Sequence, residues 1–169
     1  DVVDDMSSGH VELLEGVNCR FLPSTGFIKA YNLHYKETTK NRPQDEVMVI
    51  QDDFASHSLL DYIRTNVYDV IFHQAAIPRV SYSVEHPFET TITNIAKTIA
   101  LFDAAKGNVK RIVWASSSSV YGGADLMPTS EDHPKDPKSP YAWQKSSIEE
   151  LSSVFCNLTP IIRLSSASK

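Results

Sequence analysis

Cysteine is scarce in this sequence, which contains two cysteines in 169 residues. Cys19 and Cys156 lie far apart, and neither belongs to a Cys-x-x-Cys pair or to a Cys/His spacing typical of metal ligands. The sequence therefore indicates neither a disulfide framework nor a zinc site. We expect no metal, and a reducing, cytoplasmic compartment fits this cysteine usage best.

Long apolar runs and basic runs are also lacking. No apolar stretch approaches the roughly 18 to 20 residues that a helix needs to cross a bilayer. The first residues, Asp1 to Asp5, carry neither the basic region nor the apolar core of a signal peptide. The formal net charge is −5 and no segment is rich in Lys or Arg, which argues against a nucleic-acid groove. We expect neither a membrane nor a nucleic acid as a partner.

Apolar runs typical of strands alternate with segments of helical periodicity along most of the chain. The segment from about Val11 to Asn41 shows neither period and is predicted to be irregular, with at most one short helix. The predicted strands are Val2 to Asp4, Glu46 to Ile50, Val67 to His73 and Lys110 to Ala115, with Pro160 to Leu164 as a further candidate. The predicted helices are Ser56 to Asn66, Pro87 to Lys106 and Tyr141 to Phe155. This alternation predicts an α/β fold, a three-layer doubly wound parallel sheet of Rossmann type in one domain over residues 1–169.

Several polar and small residues fall where predicted strands end. In doubly wound sheets, ligands bind in the crevice beyond the carboxyl ends of the strands. Asp4, Asp53, Ala75 and Ser117 all fall at such ends. We therefore expect them to line one crevice.

The segment from Trp114 to Lys145 is the most informative in the chain. It contains four consecutive serines, Ser116 to Ser119, and then Tyr141 and Lys145, which share one face of a helix. A phenol with a pKa of about 10 is a poor base until a nearby cation stabilises the phenolate. Tyr and Lys at this spacing also occur by chance on surface helices, but here Ser139-Pro140 starts the helix and a hydroxyl-rich strand end precedes it. The segment predicts proton and hydride transfer on an alcohol.

Several segments, in the right order, resemble the extended short-chain dehydrogenase/reductase family, in the NAD-dependent epimerase/dehydratase group that acts on nucleotide sugars. They cover nearly the whole chain: Val2 to Gly9, Gln51 to Phe54, Phe72 to Ala76, Thr93 to Ile95, Trp114 to Gly122 and Ser139 to Lys145. The resemblance implies NAD as the cofactor and a UDP-sugar as the substrate.

The resemblance also implies the catalytic residues. Tyr141 would be the base, and Lys145 would lower its pKa and bind the nicotinamide ribose, so both also contact the cofactor. Ser117 would hydrogen-bond the reacting sugar oxygen, with Ser118 beside it against the substrate. Because alternate residues of a strand face opposite sides, the serine run cannot be wholly catalytic.

Further cofactor contacts follow from the same resemblance, each with an ordinary alternative. Asp4, or Asp5 beside it, would bind the adenosine ribose, although either could cap a turn. Asp53 and Phe54 would hold the adenine, although Asp53 could equally cap a helix.

Small and polar residues after the middle strands complete the implied cofactor contacts. Ala75 and Ala76 would let the backbone approach the dinucleotide, although such a pair also suits core packing. Asn94 would support the loops around the cofactor. His73 could be suspected as a catalytic acid, but a His that closes an apolar strand is more often a structural residue.

No Gly-x-x-Gly-x-x-Gly series occurs among the six glycines. In the family, that series follows the first strand and holds the pyrophosphate at a helix N-terminus. We therefore expect the first strand and phosphate loop upstream of Asp1, and the C-terminal substrate part beyond Leu164. On this interpretation the chain is an internal fragment, its sheet is incomplete at the N-terminus, and it binds NAD weakly or not at all.

The predicted reaction is 4-epimerisation of a UDP-hexose, UDP-hexosamine or UDP-hexuronate through a 4-keto sugar. Dehydratases of the group carry an acid pair after the catalytic Ser/Thr, where this chain has Ser118 and Ser119. A reductase, decarboxylase or dehydratase on a nucleotide sugar remains an alternative, as does a non-catalytic module. The resemblance further suggests a homodimer formed by the helices near Pro87 to Lys106 and Tyr141 to Phe155.

Overall fold

The computed structural model describes residues 1–23, 43, 45–123, 129–158 and 163–167, and the chain divides into two compact units. The first unit comprises Asp1–Tyr62 and the second Ile63–Lys169. Each unit contains a parallel sheet of three strands together with helices. The described residues confirm the predicted α/β class.

The first unit is built around a buried central strand. Met48, Val49 and Ile50 are each at most 4% exposed, as expected for a parallel strand covered on both faces. The sheet has the order β1-β3-β2, with Val2 opposite Val49 and Cys19 opposite Val47. Its elements are β1 (Val2–Asp4), a 3₁₀ helix (Val11–Leu14), β2 (Cys19–Pro23), β3 (Val47–Gln51) and α1 (His57–Ile63).

The second unit has the sheet order β4-β5-β6, again with all strands parallel. Its central strand β5 buries Ile112 and Trp114, and Phe102 from a neighbouring helix is fully buried. The elements are β4 (Val70–His73), α2 (Val80–Glu85), α3 (Pro87–Thr91), a π-helical turn (Ile92–Ala96), α4 (Lys97–Ala105), β5 (Arg111–Ala115), a 3₁₀ helix (Ser118–Tyr121), α5 (Pro140–Leu158) and β6 (Arg163–Ala167).

The helix predicted over Pro87 to Lys106 is present but interrupted. Helices α3 and α4 are joined end to end by the π-helical turn, which contains the buried Asn94. Single π turns inside α-helices are rare and are frequent at functional sites. The turn therefore marks Asn94 as more than an ordinary helix residue.

The structure corrects one predicted connection and the bounds of the last strand, and it adds a short helix. Cys19–Pro23, predicted to be irregular, forms β2 because it pairs along its whole length with the apolar strand β3. Val80–Glu85, for which the sequence predicted no element, forms the short helix α2. The last strand is β6 at Arg163–Ala167, later than the predicted Pro160 to Leu164. The prediction for residues 24–42 lies outside the described residues.

None of the described helices combines the length and apolar character that crossing a lipid bilayer requires. Among the same residues, no three His, Cys, Asp or Glu side chains are grouped so that they could hold a metal ion. Neither Cys19 nor Cys156 forms a disulfide bond.

Candidate active site

Helix α5, which carries Tyr141 and Lys145, has a well-capped N-terminus. Pro140 begins it, as expected for a residue without a backbone N–H group. The N–H of Ala142 donates to Ser139 Oγ at 3.1 Å, and the N–H of Tyr141 donates at 3.1 Å to Ser83 Oγ, which belongs to α2. A second helix therefore helps to fix the backbone of Tyr141.

Tyr141 and Lys145 are both buried, at 7% and 8% exposure. The Lys145 Nζ lies 6.0 Å from the centre of the Tyr141 ring and 5.8 Å from that of Trp114. It also donates at 2.7 Å to the carbonyl oxygen of Ala115, the last residue of β5. The ammonium is thus held at the carboxyl end of the strand that leads into the serine run.

Burial lowers the pKa of Lys145 from 10.5 to about 8. The amine is therefore still mostly protonated at neutral pH, although it lies in a poorly solvated environment. A cation close to a phenol favours the phenolate over the neutral form. The assignment of Tyr141 as the base and of Lys145 as its supporting cation stays a prediction.

The four serines after Ala115 do not share one environment. Ser117 has an extended backbone and caps the following 3₁₀ helix, where its Oγ accepts from Ser119 N at 3.3 Å and from Ser119 Oγ at 2.9 Å. Both bonds use lone pairs of Ser117 Oγ, and neither uses its hydroxyl hydrogen. Ser117 is half-buried and Ser118 is exposed, so Ser117 can still donate to a substrate oxygen.

Glu149 links three parts of this region. It lies on α5 one turn after Lys145, and its carboxylate accepts from Ser116 Oγ and pairs with Lys135 Nζ at 2.6 Å. The loop that carries Lys135 also passes close to Gly122, where a Cβ would clash with the carbonyl oxygen of Asp136. The ion pair and the glycine thus hold the loop before α5 against the end of β5.

His73 is buried at the end of β4 and its Nε2 lies 2.9 Å from Thr98 Oγ1, forming a hydrogen bond. Burial first, and then the positive charge of Lys145, lower the pKa of His73 from 6.5 to about 4. The imidazole is therefore neutral at pH 7. This geometry favours a structural role over that of a catalytic acid.

Asn94 holds the loop that follows β4. Its Oδ1 accepts from the N–H of Ile77 at 2.8 Å, and its Nδ2 donates to the carbonyl oxygen of Ile77 at 3.2 Å. Ile77 directly follows Ala75 and Ala76, both half-buried. The predicted support for a cofactor loop therefore has a geometric basis, in which one amide satisfies both backbone groups of a loop residue.

In the first unit, Asp4 lies at the carboxyl end of β1 and makes a local turn contact. Its Oδ1 accepts from Met6 N at 2.7 Å, and a Cβ at Gly9 would lie 3.0 Å from the same oxygen. Asp5 is exposed and accepts from Ser7 N at 2.9 Å. Both carboxylates thus take the ordinary role that the sequence left open.

Asp53 also makes a turn contact, at the carboxyl end of β3. Its Oδ1 accepts from Ala55 N at 2.8 Å, whereas Ser56 caps α1 by accepting from Leu59 N at 3.3 Å. Phe54 between them is half-buried. Asp53 therefore shapes the turn before the helix instead of capping the helix itself.

The structure groups the predicted site residues by unit. Asp4, Asp5, Asp53 and Phe54 follow the adjacent strands β1 and β3 of the first unit. The residues that follow the adjacent strands β4 and β5, or face them from helices, belong to the second unit: Ala75, Ala76, Asn94, Ser117, Ser118, Tyr141 and Lys145. The expected single crevice formed by all of them stays a prediction.

The sequence interpretation missed three polar residues of the second unit: Ser83, Gln144 and Glu149. Ser83 and Gln144 are fully buried and hydrogen-bonded. Glu149 had a usable signal, because it follows Tyr141 and Lys145 at the same four-residue spacing on one helix face. The partners of Ser83 and Gln144 lie far away in sequence and leave no local pattern.

Comparisons with known proteins agree on one group of enzymes. A family model described as GDP-mannose 4,6 dehydratase matches residues 20–165. UDP-glucose 4-epimerase from Mycolicibacterium smegmatis is 33% identical over 159 residues, which cover 92% of this chain and 43% of that protein.

Solved structures extend the similarity to the fold. UDP-N-acetylglucosamine 4-epimerase from Methanobrevibacter ruminantium, in complex with UDP-N-acetylmuramic acid, is 27% identical with a TM-score of 0.67 over 98% of this chain and 44% of that chain. UDP-glucose 4-epimerase from Thermus thermophilus, in complex with NAD, is 23% identical with a TM-score of 0.70 over 98% of this chain and 45% of that chain. The chain thus has the Rossmann-type fold of these enzymes and spans less than half of their length.

Proposed function

The chain belongs to the NAD-dependent epimerase/dehydratase family, and we propose that the protein that contains it is a UDP-sugar 4-epimerase. The observation that carries this proposal is the buried pair of Tyr141 and Lys145, with the Lys145 ammonium held on the carbonyl oxygen of Ala115. Similar chains that carry the 4-epimerase name support the choice of reaction.

In this proposal Tyr141 removes the proton from the 4-hydroxyl of the sugar, because the nearby Lys145 cation stabilises its phenolate. Ser117, whose hydroxyl hydrogen is not used by its bonds with Ser119, donates a hydrogen bond to the same sugar oxygen. After the 4-keto sugar has turned its other face to the site, Tyr141 returns the proton. The same two hydroxyl groups therefore serve both halves of the reaction.

We propose that described residues of each unit contact NAD. Ala75 and Ala76 carry small side chains at the end of β4, and the loop after them is held by Asn94. Asp4 lies at a strand end with carboxylate capacity to accept from ribose hydroxyls. When bound, NAD+ accepts the hydride from carbon 4 of the sugar and gives it back to the opposite face.

The similar proteins indicate a class of UDP-sugar substrates and do not single out one sugar. A UDP-glucuronate 4-epimerase from Arabidopsis thaliana and the UDP-N-acetylglucosamine 4-epimerase from Methanobrevibacter ruminantium are both similar to this chain, at 33% and 27% identity. We therefore propose UDP-hexoses and their hexosamine and hexuronate derivatives as a class.

A dehydratase is the second candidate, because the matching family model bears a dehydratase description. The serines at positions 118 and 119 disfavour it, since neither can act as the acid that expels water. The nearby carboxylate, Glu149, is already engaged by Ser116 and Lys135.

We further propose that the protein is a homodimer through the helices of the second unit. Helices α3 and α4, with the π-helical turn between them, expose Phe88, Ile92 and Ile99, at 79%, 41% and 36%. Helix α5 exposes Trp143 and Val154 at 54% and 50%. Exposed apolar residues at helical spacing suit a helix packed against a second copy. A cytoplasmic location is proposed with it, because neither Cys19 nor Cys156 forms a disulfide bond.

Binding and turnover by the full-length protein test the proposed function. We expect NAD+ to bind in a calorimetric titration and a UDP-sugar to be converted to its 4-epimer, with UDP-glucose, UDP-N-acetylglucosamine and UDP-glucuronate tried in parallel. A 4-keto-6-deoxy product would establish the dehydratase instead. Absence of both NAD+ binding and turnover would leave the non-catalytic module.

A further inference from the structure

Gln144 is a fully buried polar side chain for which the proposed mechanism has no use. It directly precedes Lys145 on α5 and is 0% exposed. Its Oε1 accepts from Asn94 Nδ2 at 2.8 Å, and its Nε2 donates to the hydroxyl oxygens of Thr90 and Thr91 at 3.0 Å each. One side chain thus connects α5 with α3 and with the π-helical turn.

The two threonines fix the orientation of the Gln144 amide. Thr90 Oγ1 donates to the carbonyl oxygen of His86 at 3.0 Å, and Thr91 Oγ1 donates to that of Pro87 at 2.7 Å. Because these bonds use both hydroxyl hydrogens, only lone pairs remain to face Gln144, and only its Nε2 group can donate to them. Its Oε1 must then face Asn94.

The orientation of Gln144 in turn sets that of Asn94. An oxygen at Gln144 Oε1 requires the Nδ2 group of Asn94 opposite it, which leaves Asn94 Oδ1 for the N–H of Ile77. In this arrangement every N–H of both amides has an acceptor. Fully satisfied buried networks of this kind hold one geometry, whereas a network that loses a member leaves buried polar groups unpaired.

We propose that Gln144 is a positioning residue that ties the loop after β4 to the helical turn carrying Tyr141 and Lys145. It acts by fixing the Asn94 amide in the one orientation that can hold both backbone groups of Ile77. Its consequence for catalysis rests on the proposed function, in which Ala75 and Ala76 contact the cofactor and Tyr141 and Lys145 face the sugar. Gln144 holds the loop that contains Ala75 and Ala76 in a fixed position relative to Tyr141 and Lys145.

Amide hydrogen exchange tests the link without any cofactor. Gln144→Met keeps the length of the side chain but removes all three hydrogen bonds. We expect the Ile77 amide of the full-length protein to exchange at least about tenfold faster in this variant, a change of about 1.4 kcal/mol in protection. The matched control is Ser152→Ala, which removes a buried hydrogen bond elsewhere on α5. This variant should leave the exchange rate of the Ile77 amide unchanged.

Comparing amide exchange at Ile77 with exchange elsewhere in the unit distinguishes a positioning role from a general loss of stability. If Gln144→Met merely weakened the unit, exchange would rise equally at the buried strand residue Ile112, and the proposal would be wrong. An unchanged rate at Ile77 would also overturn it. Should Gln144→Met fail to fold, the double variant Thr90→Val, Thr91→Val removes the two acceptors that orient Gln144, together with their local bonds to backbone carbonyl oxygens. Amide exchange at Ile77 should then accelerate in the same way.

A double-mutant cycle tests the catalytic consequence. Asn94→Ala and Gln144→Met should each raise the Kd for NAD+ about tenfold while changing the KM for the UDP-sugar less than about twofold. The Kd of the double variant for NAD+ should be no higher than that of Asn94→Ala alone, because both substitutions act through Ile77. Fully additive effects would contradict the coupling. If the wild type binds no NAD+ yet Ile77 still responds, the proposed function fails and the positioning role stands.

Discussion

At the scale of single residues, burial sets the protonation of two basic groups in the second unit. Lys145 and His73 are both buried and both have a lowered pKa, about 8 and about 4. They remain different in charge at neutral pH, since Lys145 is a cation and His73 is neutral. One positive charge is therefore held near Tyr141, and its repulsion helps to exclude a second.

The lowered pKa of His73 predicts a pH dependence of stability. The unfolded chain binds a proton near pH 6.5 and the folded chain only near pH 4, so protonation favours unfolding between these values. The His73 contribution to the free energy of unfolding is complete above pH 6.5 and falls as the pH drops toward 4, by up to about 1.4 kcal/mol per pH unit. Urea denaturation at several pH values measures it, with His73→Gln as the control that lacks this component.

The same group offers a second check by NMR titration. In Lys145→Met, the repelling charge is gone, and we expect the pKa of His73 to rise while staying below 6.5 because burial remains. An unchanged titration in that variant would show that Lys145 does not act on His73.

Tyr141→Phe is expected to lower kcat at least about a hundredfold, because the proton acceptor is lost while the ring still fills its site. NAD+ should still bind in calorimetry. Tyr82→Phe is the matched control, since the Tyr82 hydroxyl pairs with Glu89 at the surface. Full activity of Tyr141→Phe would exclude the proposed base.

At the scale of elements, helix α5 is positioned by contacts from a helix far away in sequence. Ser83 Oγ accepts from the N–H of Tyr141 and donates to the carbonyl oxygen of Val80 at 2.6 Å. Helix α2 is only six residues long, yet it supplies this bond at the first turn of α5. Its role is therefore to place the start of another helix.

Ser83→Ala should lower the free energy of unfolding by about 1 to 2 kcal/mol, because it leaves a buried N–H group of Tyr141 without a partner. Chemical denaturation followed by circular dichroism measures the loss. Ser81→Ala on the same helix is exposed and should change stability by less than about 0.5 kcal/mol. Equal effects of the two variants would contradict the capping role.

At the scale of the whole molecule, five exposed apolar residues of the second unit lie along two helical stripes, one over α3 to α4 and one on α5. Phe88 is the most exposed member of the first and Trp143 of the second. Such residues contribute most to binding when a partner buries them. The proposed homodimer gives them that partner.

The double variant Phe88→Glu, Trp143→Glu should shift the full-length protein from dimer to monomer, because two charges would be buried at the interface. Analytical ultracentrifugation measures the shift. Leu13→Glu is the control, at 81% exposure in the first unit, and should leave the dimer intact. A wild-type monomer, or a dimer that survives the double variant, would refute the interface.

Sequence alone determined those features that depend on local periodicity. The apolar runs of β3 and β5 predict buried strands, and Pro140 after Ser139 predicts the start of α5. The four-residue spacing of Tyr141 and Lys145 places both on one face of that helix. Each of these inferences needs only the geometry of one element, which neighbouring residues specify by themselves.

Tertiary structure alone decided which distant residues complete the candidate site. Gln144 meets Asn94 across 50 residues of sequence and Tyr141 meets Ser83 across 58. The depth of burial that lowers the pKa of Lys145 likewise depends on packing around β5. These properties arise only when separate elements come together, because the neighbours that the fold places around a side chain determine both its hydrogen-bond partners and its exposure to water.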